Sequence, residues 1–405
     1  MKFFKNGVQG CFILTILLIY PLPQLVIDIY LPSWPAMTLA LHTNESHLQL
    51  TLTVYLLSLG LAQLIYGPCS DRYGRKPVLL IGTAIFSIAS IIAVFSQSIP
   101  QLLILRILQG LGIGCGLSVA NAILADIFQG KQLAKLTTYA AMIYSLAPIL
   151  APVLGGYLQH YIGWRANFAV MAIYGVGLFF SILLFVFETN SRTIGKTLTL
   201  IGVIKNYCSL FSNIHFAGNW LCLPLSYGLM IIFNIVGPFL LQNTLHISPV
   251  TYGQLVLLVG ISYFVGATLN SQYLKYFTVH QSIIFGLAVM LFAGLGLLIV
   301  ELLLGLSIFT VIFFTCLAVL GMGFVYPNCF ANAMGMYPEK NGLVSAFIGS
   351  GILVGVSIIS VIVAHLPVPA EYCLSVGYLL LTILCIGVYS LTRLTIDTKT
   401  TVTLN

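Results

Sequence analysis

The sequence predicts an all-α integral membrane protein of twelve transmembrane helices in two pseudo-symmetric six-helix bundles, with both termini in the cytoplasm. Three observations carry that prediction. Of 405 residues, 59% are hydrophobic and 6% charged, and the mean hydropathy of +1.05 lies well outside the range of soluble domains. A span needs about 20 apolar residues, so this length accommodates about twelve helices with short connections and no sizeable soluble domain. The basic residues are also segregated. With the N-terminus inside, 14 of the 16 Lys and Arg fall in cytoplasmic segments, Arg106 lies within a span and Arg165 at an outer edge.

Apolar windows place the spans at roughly 9–31, 48–67, 78–97, 101–124, 137–160, 165–187, 216–241, 252–273, 280–300, 304–330, 342–364 and 371–393. Lys2 and Lys5 before an apolar run imitate a signal peptide, but no small-residue cleavage pattern follows, so the first helix is expected to be retained. That helix ends in Asp28-Ile29-Tyr30-Leu31-Pro32-Ser33-Trp34-Pro35, and the two prolines are expected to stop it. A carboxylate inside an apolar span is expensive and by default marks function. Its bland alternative is a helix end solvated in the outer headgroup region.

Between the second and third spans, Gly67-Pro68-Cys69-Ser70-Asp71-Arg72-Tyr73-Gly74-Arg75-Lys76-Pro77 places four charges in six residues. Such a segment is expected to be a tight polar connection outside the hydrocarbon, its glycines allowing a sharp turn and its basic residues available to lipid phosphates. The alternative is a loop whose charges only fix topology. In the fourth span, Arg106 stays charged and needs an acceptor. Counting residues inward from Pro100 and Pro32 puts Arg106 and Asp28 in one layer; the alternative is an Arg that snorkels to the outer headgroups. Gly110, Gly112, Gly114 and Gly116 leave a side of this helix bare, for close packing or for a cavity. The fifth span carries Pro148, Pro152, Gly155 and Gly156, which predict a bent helix able to approach a partner closely.

The longest polar connection follows the sixth span and divides the chain into a bundle at 1–190, a cytoplasmic linker at 191–215 and a bundle at 216–405. Gly266-Ala267-Thr268-Leu269-Asn270 with Lys275 repeats the Gly67 stretch at the corresponding place in the second half, with Asn270 where the first half has an acid. In the tenth span, Tyr326-Pro327-Asn328 and Asn332 set polar groups one turn apart, to line a cavity or to join helices. Asp126 and Glu188 stand at cytoplasmic helix ends, where solvated carboxylates are ordinary, and Glu301 and Glu371 lie near outer loops. Asp28 is thus read as the one acid within a span.

Other chemistries lack their parts. The nine Cys are scattered without a Cys-x-x-Cys pair and the seven His have no ligand spacing, so neither a disulfide framework nor a metal site is expected. Gly195-Lys196-Thr197 resembles the end of a phosphate-binding loop, but Asn190 stands where its first Gly belongs. No cofactor is expected, and the basic residues form no continuous patch for nucleic acid. No motif of an intramembrane hydrolase is present, so the chain is not read as an enzyme.

Together these stretches, with Arg106-Ile107-Leu108-Gln109-Gly110, Gly163-Trp164-Arg165-Ala166, Pro327-Asn328 and Gly342-Leu343-Val344-Ser345-Ala346, resemble the twelve-helix drug:proton antiporter branch of the major facilitator superfamily. The resemblance is closer to its bicyclomycin/chloramphenicol-resistance (Bcr/CflA) subfamily and spans nearly the whole chain. Pro148, Pro152, Gly155 and Gly156 match the antiporter motif. Gly67, Asp71, Arg72, Gly74, Arg75, Lys76 and Asp126 match a conformational latch, with Asp71 facing the start of helix eleven near Gly342. Three departures stand out: Cys69 in place of Leu, Ala125 in place of a basic residue before Asp126, and Phe187-Glu188-Thr189 in place of Pro-Glu-Thr. The resemblance implies a multi-pass cell-membrane protein, a functional monomer whose partners are a small-molecule substrate, protons and membrane lipid. It implies proton-coupled export of small amphipathic compounds by alternating access. Asp28 would bind the proton or a cationic substrate, and Arg106 would bias its protonation. Polarity within spans makes Tyr30, Tyr55, Gln109, Tyr144, Tyr227, Asn234, Asn328 and Asn332 the candidate cavity groups. The alternatives are export of one dedicated metabolite, such as a siderophore or amino-acid derivative, and a non-transporting sensor on the same fold.

Overall fold

The computed structural model describes residues 6–190, 210–211, 213–337, 341–365 and 372–402. Most of the expected linker (191–209 and 212) and Glu371 lie outside the described residues. Twelve helices among them are long and apolar enough to cross a membrane: α1 Gly10–Ala40, α2 Glu45–Tyr73, α3 Arg75–Val94, α4 Ile99–Ile127, α5 Gly130–Tyr161, α6 Arg165–Phe185, α7 Ile214–Thr244, α8 Pro249–Tyr273, α9 Val279–Leu304, α10 Ile308–Gly335, α11 Leu343–Ala364 and α12 Cys373–Thr392.

Two expectations are corrected. Pro32 and Pro35 do not stop the first span. The helix breaks after Asp28, turns once through Leu31–Ser33 and resumes over Trp34–Ala40. Each proline sits in the first turn of a new helical segment, where its missing N–H has no intrahelical acceptor to lose. Asp28 therefore lies twelve residues before the end of α1, about 18 Å at the helical rise, deep in the span instead of near its mouth. The polar connection at Gly67 is likewise almost entirely helical. α2 runs through Tyr73, and Gly74 alone, at φ 98°, separates it from α3. That backbone conformation suits glycine and few other residues.

The chain divides into two compact units, Met1–Thr197 with Ile247–Leu257, and Leu198–His246 with Leu258–Asn405. In the first unit α3 packs on α4 and α6, α2 on α4, and the Leu22–Asp28 segment of α1 on α5. The glycines of α4 serve close packing on three neighbours: Gly110 and Gly114 face Tyr55 and Ala62 of α2, Gly112 faces Gly82 and Phe86 of α3, and Gly116 faces Ile19. Gly155 lets α5 meet the α1 break so closely that a side chain there would collide with the Ile29 carbonyl. Gly156 and Gly253 allow the same approach between α5 and the first turns of α8, which are part of this unit. In the second unit α7 is central, buried along most of its length against α10, α11 and α12, while α9 packs on α10 and α12.

Candidate functional site

A buried polar layer forms where α1 breaks. A helix ending at Asp28 leaves its last carbonyls without intrahelical donors, and one of them, Val26 O, accepts a hydrogen bond of 3.2 Å from Arg106 Nη2 of α4. The Arg106 guanidinium is 0% exposed. Its Nη1 donates to Gln109 Oε1 at 3.0 Å, and Gln109 Nε2 in turn donates to Ser90 Oγ at 2.9 Å. The cation lies 3.8 Å from the centre of the Tyr30 ring, with Tyr55 and Phe168 further round, an arrangement that replaces part of its lost hydration. Tyr30 Oη bonds Thr51 Oγ1 at 3.1 Å, and Tyr55 Oη donates to the Pro23 carbonyl at 2.8 Å. Tyr30, Tyr55 and Gln109 are all buried, so they hold Arg106 in place here.

Asp28 is 1% exposed and lies in the same layer. Its Oδ2 accepts a hydrogen bond of 2.8 Å from Gln24 Nε2, one turn earlier on the same helical face. Gln24 Oε1 lies 3.5 Å from Tyr144 Oη of α5, and Tyr144 is 37% exposed. The depth count that joined Asp28 to Arg106 started from Pro32, which does not end the helix; in the structure Val26, two residues before Asp28, is what accepts from Arg106. The hydrogen bonds of Arg106 run to Gln109 and Val26, and that of Gln24 to Asp28.

The remaining candidates lie in the second unit. Tyr227 of α7 is half-buried, its ring 6.3 Å from that of Tyr326 in α10, and Asn234 of α7 is buried. Asn332 donates to Asn219 Oδ1 at 3.2 Å. Asn328 is committed to a buried knot: its Nδ2 reaches Asn270 Oδ1 at 2.9 Å, Ser282 Oγ at 3.0 Å and the Phe324 carbonyl at 2.8 Å. Glu301 corrects the reading of Asp28 as the one acid within a span. α9 continues past it to Leu304, leaving it 4% exposed, with Ser375 Oγ of α12 donating to its Oε2 at 2.5 Å.

At the α2–α3 junction Arg75 joins the acids. Its Nη1 pairs with Asp71 at 2.6 Å and donates to Ser70 Oγ at 2.6 Å, and its Nε reaches Asp126 Oδ2 at 3.2 Å. Arg75 thus engages Asp126 without a basic residue at position 125. Arg72 lies over Tyr73, and the Lys76 ammonium donates to the Leu183 carbonyl at 2.9 Å. Gly67 Cα faces open space, while the Gly67 carbonyl accepts from Ser70 Oγ. Sequence reasoning gave Glu188 no role, yet its carboxylate caps α3, accepting from the backbone N–H groups of Arg75 at 2.9 Å and Lys76 at 3.2 Å. A carboxylate there also opposes the positive end of the helix dipole. Thr189 donates to Asp126 at 3.1 Å and Asn190 to the Asp71 carbonyl at 2.7 Å. The signal for this cap was the Glu188-Thr189 pair standing where the family has Pro-Glu-Thr. Gln24 carried no signal of its own, being one amide in an apolar run. No group of three or more His, Cys, Asp or Glu among the described residues is placed to hold a metal ion.

The model of the Major Facilitator Superfamily matches residues 16–360 of this chain. Multidrug resistance protein D of Escherichia coli (strain K12) is 30% identical over 359 residues, 88% of this chain and 89% of that protein. The Bicyclomycin resistance protein homolog of Haemophilus influenzae is 26% identical over 341 residues, 84% of this chain and 85% of its own. Among solved structures, the D-xylose-proton symporter superposes with a TM-score of 0.72 at 15% identity, over 92% of this chain and 97% of that one, a likeness of fold. With twelve spans, relatives of this kind and that fold, the chain belongs to the Major Facilitator Superfamily as a multi-pass transporter of the cell membrane, with its relatives in the bicyclomycin/chloramphenicol-resistance group.

Proposed function

We propose that this transporter is a proton-coupled exporter of small amphipathic compounds, with chloramphenicol and bicyclomycin as the first to test, working as a monomer by alternating access between bundles at 1–190 and 216–405. Both termini and the Arg75 junction face the cytoplasm in this reading. Asp28 binds the proton, and Arg106 biases its protonation, since a nearby cation favours the ionised form while burial disfavours it. Coupling needs only that the proton be held with different affinity in the two states of the cycle. Tyr30, Tyr55, Gln109 and Tyr144 of the first half, and Tyr227, Asn234 and Asn332 of the second, are the polar groups through which substrate and proton communicate. Asn328 belongs with its packing knot. Asp71, Arg75 and Asp126 set the balance between states, and the exposed Lys and Arg beside them meet lipid phosphates.

The observation that carries this reading is a carboxylate 1% exposed, deep in a broken helix, in one layer with a fully buried guanidinium. Asp28→Asn in proteoliposomes is expected to abolish uphill export driven by a pH gradient while the protein still inserts. Glu301→Gln, at the other buried acid, should keep it. Undiminished uphill export by the Asp28 variant would remove Asp28 from the coupling step.

A further inference from the structure

The open face of α4 changes character at Gly114. Before it, the exposed residues are Ile104, Ile107, Leu108 and Leu111, branched apolar side chains that suit lipid. After it, the face carries half-buried Ser118 and exposed Asn121 and Ala125. Asn121 is held from α1. Tyr20, only 5% exposed, donates its hydroxyl proton to Asn121 Oδ1 at 2.6 Å. With its oxygen taken, the amide presents its NH2 end, two donors and no acceptor. That end has no partner among the described residues.

The depth of Asn121 sets it apart from a solvated helix end. It lies six residues, about 9 Å, before the end of α4. A helix of 29 residues is about 43 Å long against a hydrocarbon core of about 30 Å, so with the excess shared between its ends the amide stays inside the core. The Cα–Cβ bond of a helical residue leans toward the helix N-terminus, which for Asn121 points away from the nearer surface. Reaching the headgroups would also break the bond to Tyr20. Serine and threonine in a span can return their hydroxyl proton to the preceding turn, as Ser118 does to the Cys115 carbonyl. The Asn121 amide is instead committed across helices. Donors facing hydrocarbon would go unanswered at high cost, so this part of the face suits water or a ligand.

We propose that Asn121, oriented by Tyr20, is a substrate subsite that donates a hydrogen bond to an acceptor oxygen of a neutral compound, such as a carbonyl or nitro oxygen. This rests on the reading of the chain as an exporter of small amphipathic compounds. A neutral amide selects acceptors without selecting charge. It also does not titrate, so its share of the affinity is independent of pH, in contrast to any contribution routed through Asp28. Tyr20 is a positioning residue: it touches no substrate and acts by fixing which end of the amide faces outward.

The test uses the full-length protein in lipid nanodiscs, where both membrane surfaces are accessible. A charged methanethiosulfonate is applied to Asn121→Cys and, on the apolar part of the same face, to Ile107→Cys, and the peptide carrying each position is read by mass spectrometry. Position 121 should react, more slowly when chloramphenicol is present, and position 107 should not. Equilibrium binding of chloramphenicol should weaken about 10-fold in Asn121→Leu and in Asn121→Ala, the range of one hydrogen bond, by the same factor in acid and in alkaline buffer. Tyr20→Phe, which keeps the ring, should weaken binding on its own and add nothing to Asn121→Leu, as members of one linkage are non-additive. A position 121 as unreactive as position 107, affinity unchanged in both Asn121 variants, or additive losses with Tyr20→Phe would overturn the proposal. The reading beneath it fails separately. A wild type that binds neither chloramphenicol nor bicyclomycin removes that choice of substrates, while a reactive position 121 still supports a wetted donor site. Wild-type export of either compound beside an unreactive position 121 removes only the inference.

Discussion

At the end of α2, Asp71, Arg75, Asp126 and Glu188 make a charged corner, whereas at the corresponding end of α8 the same place is held by Asn270, Ser282 and Asn328. The acid of the first half becomes an amide in the second, Asn270 Oδ1 accepting from Ser282 at 2.5 Å and from Asn328 at 2.9 Å. The difference follows burial. The side chain of Asp71 is 55% exposed and that of Asp126 29%, so water shares in stabilising them. All three members of the neutral knot are buried. A charge in that position would lose its hydration with no counter-charge to replace it. One half therefore keeps a corner that responds to salt and to protonation, and the other keeps one that responds to neither.

The sharpest way to break this comparison is to place a charge in the neutral knot. Asn328→Asp should destabilise the protein by about 3 kcal/mol or more, the penalty of an uncompensated buried charge, read as thermal unfolding in detergent. Its mirror, Asp126→Asn, should change stability by less than about 1 kcal/mol. Equal shifts would mean that burial does not separate the two corners. Next in size is Arg75→Ala. One buried side chain there serves Asp71, Asp126 and Ser70, so its loss should destabilise by about 2 kcal/mol and slow turnover in proteoliposomes. The smallest effect on stability is expected from Asp71→Asn, within about 0.5 kcal/mol because the Asp71 carboxylate is 55% exposed and screened by solvent. Its turnover should nevertheless fall several-fold with equilibrium substrate affinity unchanged. A collapse of affinity would instead place Asp71 in substrate binding.

Much of this was legible in the sequence where spacing encodes a constraint. Asp71, Gly74 and Arg75 were found because charges cannot lie in hydrocarbon and glycines allow a sharp turn, which the structure makes at Gly74 with φ 98°. Pro148 through Gly156 were found because small residues and prolines mark close helix approach, and Gly155 does meet the α1 backbone at Ile29. The count that put Asp28 and Arg106 in one layer started from Pro32, which does not end the helix, so only the need of a buried Arg for an acceptor carries over. What the sequence did not disclose depends on which of several chemically equivalent partners wins. Arg106 could have bonded any acceptor in its layer. It takes the Val26 carbonyl because α1 breaks after Asp28, and that break was misread as the end of the helix. Glu188 acts through a contact with a residue more than a hundred positions away, Arg75. Glu301 was set aside because an acid near a span's end is ordinarily solvated, and only the reach of Ser375 from α12 reveals otherwise.

The cap that Glu188 places on α3 also bears on the order of synthesis. Every group in the charged corner, from Ser70 through Asp126 to Asn190, belongs to the first 190 residues to be synthesised. Domains generally fold as they emerge, N-terminal first. The first half can thus close its own charged corner before most of the second half is made. The newborn chain then passes to its second half from a fixed point: Glu188, Thr189 and Asn190 are each tied back to residues of α2, α3 or α4. The second half, whose knot is complete only when Asn328 arrives, is threaded from an anchor that is already set.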